Sequence, residues 1–154
     1  MAAAVVQRAV DEGVPVVFQL LVYPMLDDRT VLRRDSAGRG RLVWTPRSNA
    51  FAWTSLLGSR PGDADPRPYA VPAGRKDLSG LPPAWIGVGD LDLFHDEDLE
   101  YARRLREAGV AVDVVVEPGM YHAAEIELHA TVASMRAFQQ AMFDALRAGL
   151  SATG

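Results

Sequence analysis

Two acids and one histidine carry the first chemical signal in this sequence. Asp90 and Asp92 follow the apolar run Trp85, Ile86, Val88, and His122 follows a second apolar run, Val112 to Val116, by way of Pro118-Gly119-Met120-Tyr121. Parallel α/β proteins place their working side chains at the carboxyl ends of strands. A carboxylate and an imidazole carried on adjacent strand ends can do acid–base chemistry: the acid orients and charges the ring, and the ring moves a proton to and from a nucleophile. Taken alone, Asp92 reads equally well as a capping carboxylate ahead of a helix that opens near Asp96. Asp90 reads as a hydrogen-bonding partner at the strand end.

The third participant is harder to find. With no cysteine in the chain there is no thiolate nucleophile, no disulfide framework and no Cys-type zinc site, so a nucleophile must be an oxygen or a lysine. Asp35-Ser36-Ala37-Gly38 resembles the centre of a nucleophile elbow, but the elbow needs glycine two residues before its serine, and Arg34 stands there. The polar stretch Thr30 to Arg34 is no buried strand, and Arg39-Gly40-Arg41 is a poor helix start. Ser36 is therefore assigned to a loop. His95 and His129 fall on helix surfaces and are expected to be solvated. No His-x-x-x-His spacing occurs, so no metal and no cofactor is implied. Trp44, Phe51 and Trp53 are either packing for a lid-like segment or a wall of an acyl pocket.

The elements that must position these residues follow from the apolar pattern. Ala2, Val5, Val6, Ala9 and Val10 predict a helix over 1–11, and Gly13 stops it. Val14 to Tyr23 is apolar on both faces, as a strand buried between helix layers must be. Residues 27–75 change character, with paired acids, a Gly- and Arg-rich patch and a Pro- and Gly-rich stretch, and read as a lid-like insertion holding a helix near Ser48 to Leu57. Leu81-Pro82-Pro83 leads in extended form into a strand over Ala84 to Val88. A helix over Asp96 to Ala108 opens with acids and closes with arginines, matching its dipole. Val110 to Glu117 is the third strand, and Ala124 to Leu150 one long amphipathic helix. Helices and strands in this order make a parallel α/β sheet with flanking helices. Three strands leave the run Val16 to Val22 too apolar for an exposed edge, so the chain reads as the second half of a larger sheet.

The bulk numbers agree with one domain of 154 residues. Sixteen basic and twenty acidic residues leave a formal charge of −4, with the basic residues scattered, so nucleic acid is not an expected partner. No apolar run approaches the roughly 20 residues of a membrane span, and no leader precedes the first helix, which leads to the expectation of a cytoplasmic protein.

The chain resembles the C-terminal half of an α/β-hydrolase of the hormone-sensitive-lipase-like carboxylesterase family. The resemblance rests on Phe18-Gln19-Leu20-Leu21-Val22-Tyr23-Pro24 with Asp27-Asp28-Arg29, Trp53 with Leu57-Gly58, and Pro68-Tyr69-Ala70-Val71-Pro72. It continues through Asp77 to Ala84, Gly89-Asp90-Leu91-Asp92-Leu93 with Asp96-Glu97, and Pro118-Gly119-Met120-Tyr121-His122. It implies that Asp92 is the acid and His122 the base of a catalytic triad that cleaves small esters. It also implies a Gly-Asp-Ser-Ala-Gly-Gly elbow and an oxyanion loop that these residues do not include. Where the family has Gly-Phe after the histidine, this sequence has Ala123-Ala124. The expectation that follows is a truncated gene model or split gene, begun at an internal Met, whose product is silent by itself. The alternative is a non-catalytic module that pairs with a separate N-terminal half or with a second copy.

Overall fold

A computed structural model describes residues 1–63 and 67–151. Its central element is β2, Ala84–Gly89, buried at every residue. The flanking strands β1, Gln19–Val22, and β3, Val112–Glu117, pair with it in parallel, in the order β1-β2-β3. The α/β architecture with three parallel strands and flanking helices is thus as the sequence implies. Residues 64–66 of the expected insertion, and 152–154, lie outside the described residues.

Side chains alternate across the sheet, and the two faces bury different cores. Leu21, Ala84 and Ile86 pack against α1, Ala2–Asp11, and against Tyr101, Ala102 and Leu105 of α3, His95–Glu107. On the other face Trp85 meets Met135 and Phe138 of α5, Ala133–Ser151, with the Trp85 and Phe138 rings 5.6 Å apart. A sheet clothed on both sides fixes the strand ends, and hence the loops at one edge, in a rigid frame.

Residues 27–75 carry α2, Pro46–Leu57, capped by Thr45, whose hydroxyl accepts from the Ser48 amide at 3.2 Å. Its buried face is Asn49, Trp53 and Leu57, while Phe51 is 75% exposed and does not share that stripe.

Two expected elements are corrected. The strand expected over Val14 to Tyr23 forms only at Gln19–Val22. The partner segment ahead of β2 is Pro82-Pro83, which has no amide hydrogens to extend the ladder; Gln19 closes it by donating its amide to the Pro83 carbonyl and its side chain to the Pro82 carbonyl, both at 2.8 Å. The long helix expected over Ala124 to Leu150 is broken into α4, Ala124–Leu128, and α5. Carbonyls of His129 and Ala130 freed by the break accept from the Arg136 guanidinium, each at 3.1 Å. Past the break, α5 packs Met135 and Phe138 against Trp85 of β2. β1 lies at the edge of the described sheet, with its apolar outer side unpaired among the described residues. Among the described residues no helix is long and apolar enough to cross a membrane.

Candidate active site

The site is assembled where β2 and β3 end. Three backbone-anchored bonds sew the two exits together: the Asp90 amide donates to the Glu117 carbonyl at 3.2 Å, the Leu91 amide to the Met120 carbonyl at 3.1 Å, and the Gly119 amide to the Asp90 carboxylate at 2.7 Å. Asp90 thus staples the turn, as its position suggests. Gly89 is required for this approach, because a Cβ there would lie 2.0 Å from the Met120 carbonyl oxygen.

This stitching places Asp92 against His122. The Asp92 carboxylate is wholly buried; one oxygen accepts from the Phe94 amide at 3.0 Å, and the other lies 2.9 Å from His122 Nδ1. The contact fixes the ring tautomer with its proton on Nδ1, leaving Nε2 as the basic nitrogen. The His122 side chain is 14% exposed. Its ring is held among those of Tyr23 at 4.4 Å, Trp44 at 5.4 Å and Phe94 at 5.6 Å. Nε2 has no hydrogen-bond partner among the described residues. His122 faces an open cavity of about 490 Å³, shared with Met1 and Ala2 at the start of α1, Leu20 to Met25 and Trp44.

The structure separates the three insertion aromatics. Trp44 lines the His122 cavity, Trp53 is fully buried, and Phe51 stands in solvent. Ser36 turns its hydroxyl to the Arg39 carbonyl at 2.9 Å and is not among the residues lining that cavity. His129 is exposed, as expected. His95 is not solvated as expected: its side chain is 14% exposed and pairs at 2.8 Å with Asp96, which Arg33 and Arg39 also reach, each at 3.1 Å.

Two buried acids beside the site escaped sequence reasoning. Glu97 accepts from the Leu26 amide at 2.7 Å, the Asp27 amide at 3.1 Å and the Thr30 hydroxyl, tying the loop after β1 to α3. Burial pushes its carboxyl up to about 7 against those bonds. Asp98 is fully enclosed with neither oxygen partnered, and burial together with the nearby Glu97 and Asp92 carboxylates pushes it well above the carboxylate range. Their positions on the buried side of α3, whose inner face also carries Tyr101 and Leu105, are the only signal that could have marked them. Tyr23 and Phe94 likewise appear as site residues only once the strand ends are brought together.

A family model described as alpha/beta hydrolase fold matches residues 1–126. The chain is 36% identical over 124 residues to the carboxylesterase NlhH of Mycobacterium tuberculosis, covering 79% of this chain and 39% of that protein. It is 30% identical over 112 residues to the gibberellin receptor GID1C of Arabidopsis thaliana, covering 70% of this chain and 32% of the receptor. Among solved structures, a bacterial heroin esterase superposes with a TM-score of 0.82 at 38% identity, covering 96% of this chain and 47% of the esterase chain. The chain therefore spans less than half the length of each of these proteins.

Proposed function

The chain belongs to the α/β-hydrolase fold family, and on that premise we propose that it supplies the proton-carrying part of a serine-type carboxylic ester hydrolase. The observation that carries this reading is the 2.9 Å contact of His122 Nδ1 with buried Asp92, with Nε2 left unpartnered at a cavity that the N-terminal end of α1 also lines. A serine presented from residues outside these 154, next to the start of α1, would meet Nε2 there.

The chemistry then runs as two acyl transfers. The serine oxygen bonds to the ester carbonyl carbon while His122 Nε2 takes the hydroxyl proton; the intermediate collapses, the C–O bond to the alcohol breaks, and His122 returns the proton to the departing alcohol. Water repeats the sequence on the acyl-serine, with His122 again taking and returning a proton, and releases the acid. Asp92 accepts from His122 Nδ1–H throughout and holds the imidazole in the productive tautomer. Trp44, Phe94 and Tyr23 give the substrate cavity apolar walls, suited to small esters with apolar groups.

The test is a fusion of the N-terminal portion of NlhH ahead of Met1, assayed with 4-nitrophenyl butyrate. Hydrolysis is expected in the fusion and absent in the 154-residue chain. Asp92→Asn lowers kcat by about 10⁴-fold, the loss that follows when the tautomer is wrong, and His122→Ala by at least as much. A folded fusion that hydrolyses equally well as His122→Ala overturns the assignment. So does ester turnover by the 154-residue chain itself that is lost in His122→Ala, since the nucleophile would then lie within it.

A second reading, a non-catalytic binding or assembly module, is favoured by the similarity to a protein named as a receptor. Under it the fusion folds and takes ligands into the cavity without turnover.

A further inference from the structure

The buried acid Glu125 has no part in the proton transfers above, yet it lies three residues after His122. It is 3% exposed, in the first turn of α4; one carboxylate oxygen accepts from the Tyr23 hydroxyl at 2.8 Å and the other has no partner. Burying a carboxylate with one orphan oxygen is costly, so retaining it here asks for a compensating gain.

Two residues near that hydrogen bond have left-handed backbone: Tyr23, directly after β1, with φ 35°, and Ala123, the residue between His122 and α4, with φ 63°. Side chains resist the left-handed region because Cβ crowds the following carbonyl oxygen. Such strain persists only where surrounding contacts over-determine the conformation. At Tyr23 those contacts are the amide bond to the Gly87 carbonyl at 2.7 Å and the hydroxyl bond to Glu125. The imidazole ring centre lies 4.4 Å from that of Tyr23, and Ala123 directly follows His122 in the chain.

We infer that Tyr23 and Glu125 form a clamp that positions His122: their hydrogen bond ties α4 to the end of β1 and presses the tyrosine ring against the imidazole, holding Nδ1 on Asp92. Asp92 fixes the ring at Nδ1, and the clamp fixes it through the tilted contact of the two rings, whose planes meet at 56°. Neither clamp residue touches the reacting atoms, so both are positioning residues. The inference rests on the Asp92–His122 pairing proposed above.

The downfield Nδ1–H resonance of His122, observed by NMR in the ¹⁵N-labelled 154-residue chain, tests it. A ring proton held on a buried carboxylate exchanges slowly with water. In Tyr23→Phe, which keeps the ring and loses only the hydroxyl, its exchange rises at least about tenfold, the factor set by one hydrogen bond to a charged group. Glu125→Ala behaves the same way, while Glu125→Gln, whose amide oxygen still accepts from Tyr23, keeps the slow exchange. Circular dichroism confirms that each variant is folded, and Tyr23→Phe decides the question if Glu125→Ala does not fold. An Nδ1–H that exchanges equally slowly in folded Tyr23→Phe and in the unsubstituted chain overturns the clamp. A resonance missing from the unsubstituted chain overturns the Asp92–His122 pairing and the clamp with it.

Discussion

At the residue scale, the site depends on one missing side chain as much as on those present. Gly89 lets the Met120 carbonyl sit directly over the end of β2, where it accepts from the Leu91 amide. Met120 is fully buried, two residues before His122, so its backbone position is transmitted to the imidazole. A methyl group at Gly89 would meet backbone atoms, which cannot rotate away as a flexible side chain could. Gly89→Ala is therefore expected to destabilise the chain by about 3 kcal/mol, the upper range for overpacking, measured as a lower urea midpoint. It should also move His122 off Asp92, seen as loss of the Nδ1–H resonance even at urea concentrations where the chain stays folded. Retention of both midpoint and resonance would show that the turn relaxes without cost.

At the element scale, α3 is more than a layer of the sandwich, because its first turn is a buried anchor. Glu97 reaches from that turn to the two amides and one hydroxyl of the loop following β1, the loop that carries Pro24 and Met25 to the His122 cavity. Its folded-state pKa of about 7 lies above the usual glutamate value of 4.5. Between these values the folded chain holds a proton that the unfolded chain has released, so stability from this group is fully present below about 4.5 and is lost as pH rises through about 7. The shift corresponds to something on the order of 3 kcal/mol. Asp98 acts in the same direction, while Asp11, Asp77, Asp96 and Glu100 are held below their usual values by hydrogen bonds and cationic neighbours and act oppositely at lower pH. Comparison with Glu97→Gln isolates the one group: the variant keeps an acceptor for Leu26 and Asp27, and is expected to be more stable than the unsubstituted chain at pH 8 by about 1–3 kcal/mol and nearly equal to it at pH 5. Equal urea midpoints at both pH values would contradict a buried, proton-holding Glu97. The acid-rich start of α3 was legible in sequence as a match to the helix dipole, but periodicity does not tell which of three consecutive acids turns inward. For the same reason His95 looked solvated.

At the scale of the whole molecule, what could be read in advance was whatever depends on local pattern: the three apolar runs, their parallel order, and the delivery of Asp92 and His122 to one edge. What could not be read depends on a partner across space. Val14 to Phe18 has strand composition but faces prolines, and the helix break at His129 to Val132 is held by Arg136, which reaches back to the His129 and Ala130 carbonyls. The apolar run of β1 was legible in sequence as too apolar for an exposed edge, and it yields a test of the sheet as a whole. In a parallel pair, amide donors alternate between the two sides of a strand. Gln19 and Tyr23 donate inward to β2, so Leu20 and Val22 point their amides to the outer edge, along the cavity that holds His122 and the start of α1. Among the described residues nothing pairs with that edge. Hydrogen exchange in the 154-residue chain should therefore be fast at Leu20 and Val22 and slowest at Ile86 and Val88, which sit in the central strand and open only with global unfolding. If β1 takes an interior place in a larger hydrolase sheet, the fusion carrying the NlhH N-terminal portion should slow exchange at Leu20 and Val22 by at least about a hundredfold, the protection of roughly 3 kcal/mol expected of a paired strand amide. Ile86 and Val88 would change far less. Fast exchange at Leu20 and Val22 in a folded, ester-cleaving fusion would mean that the serine reaches His122 without a strand beside β1, and the apolar edge would need another occupant.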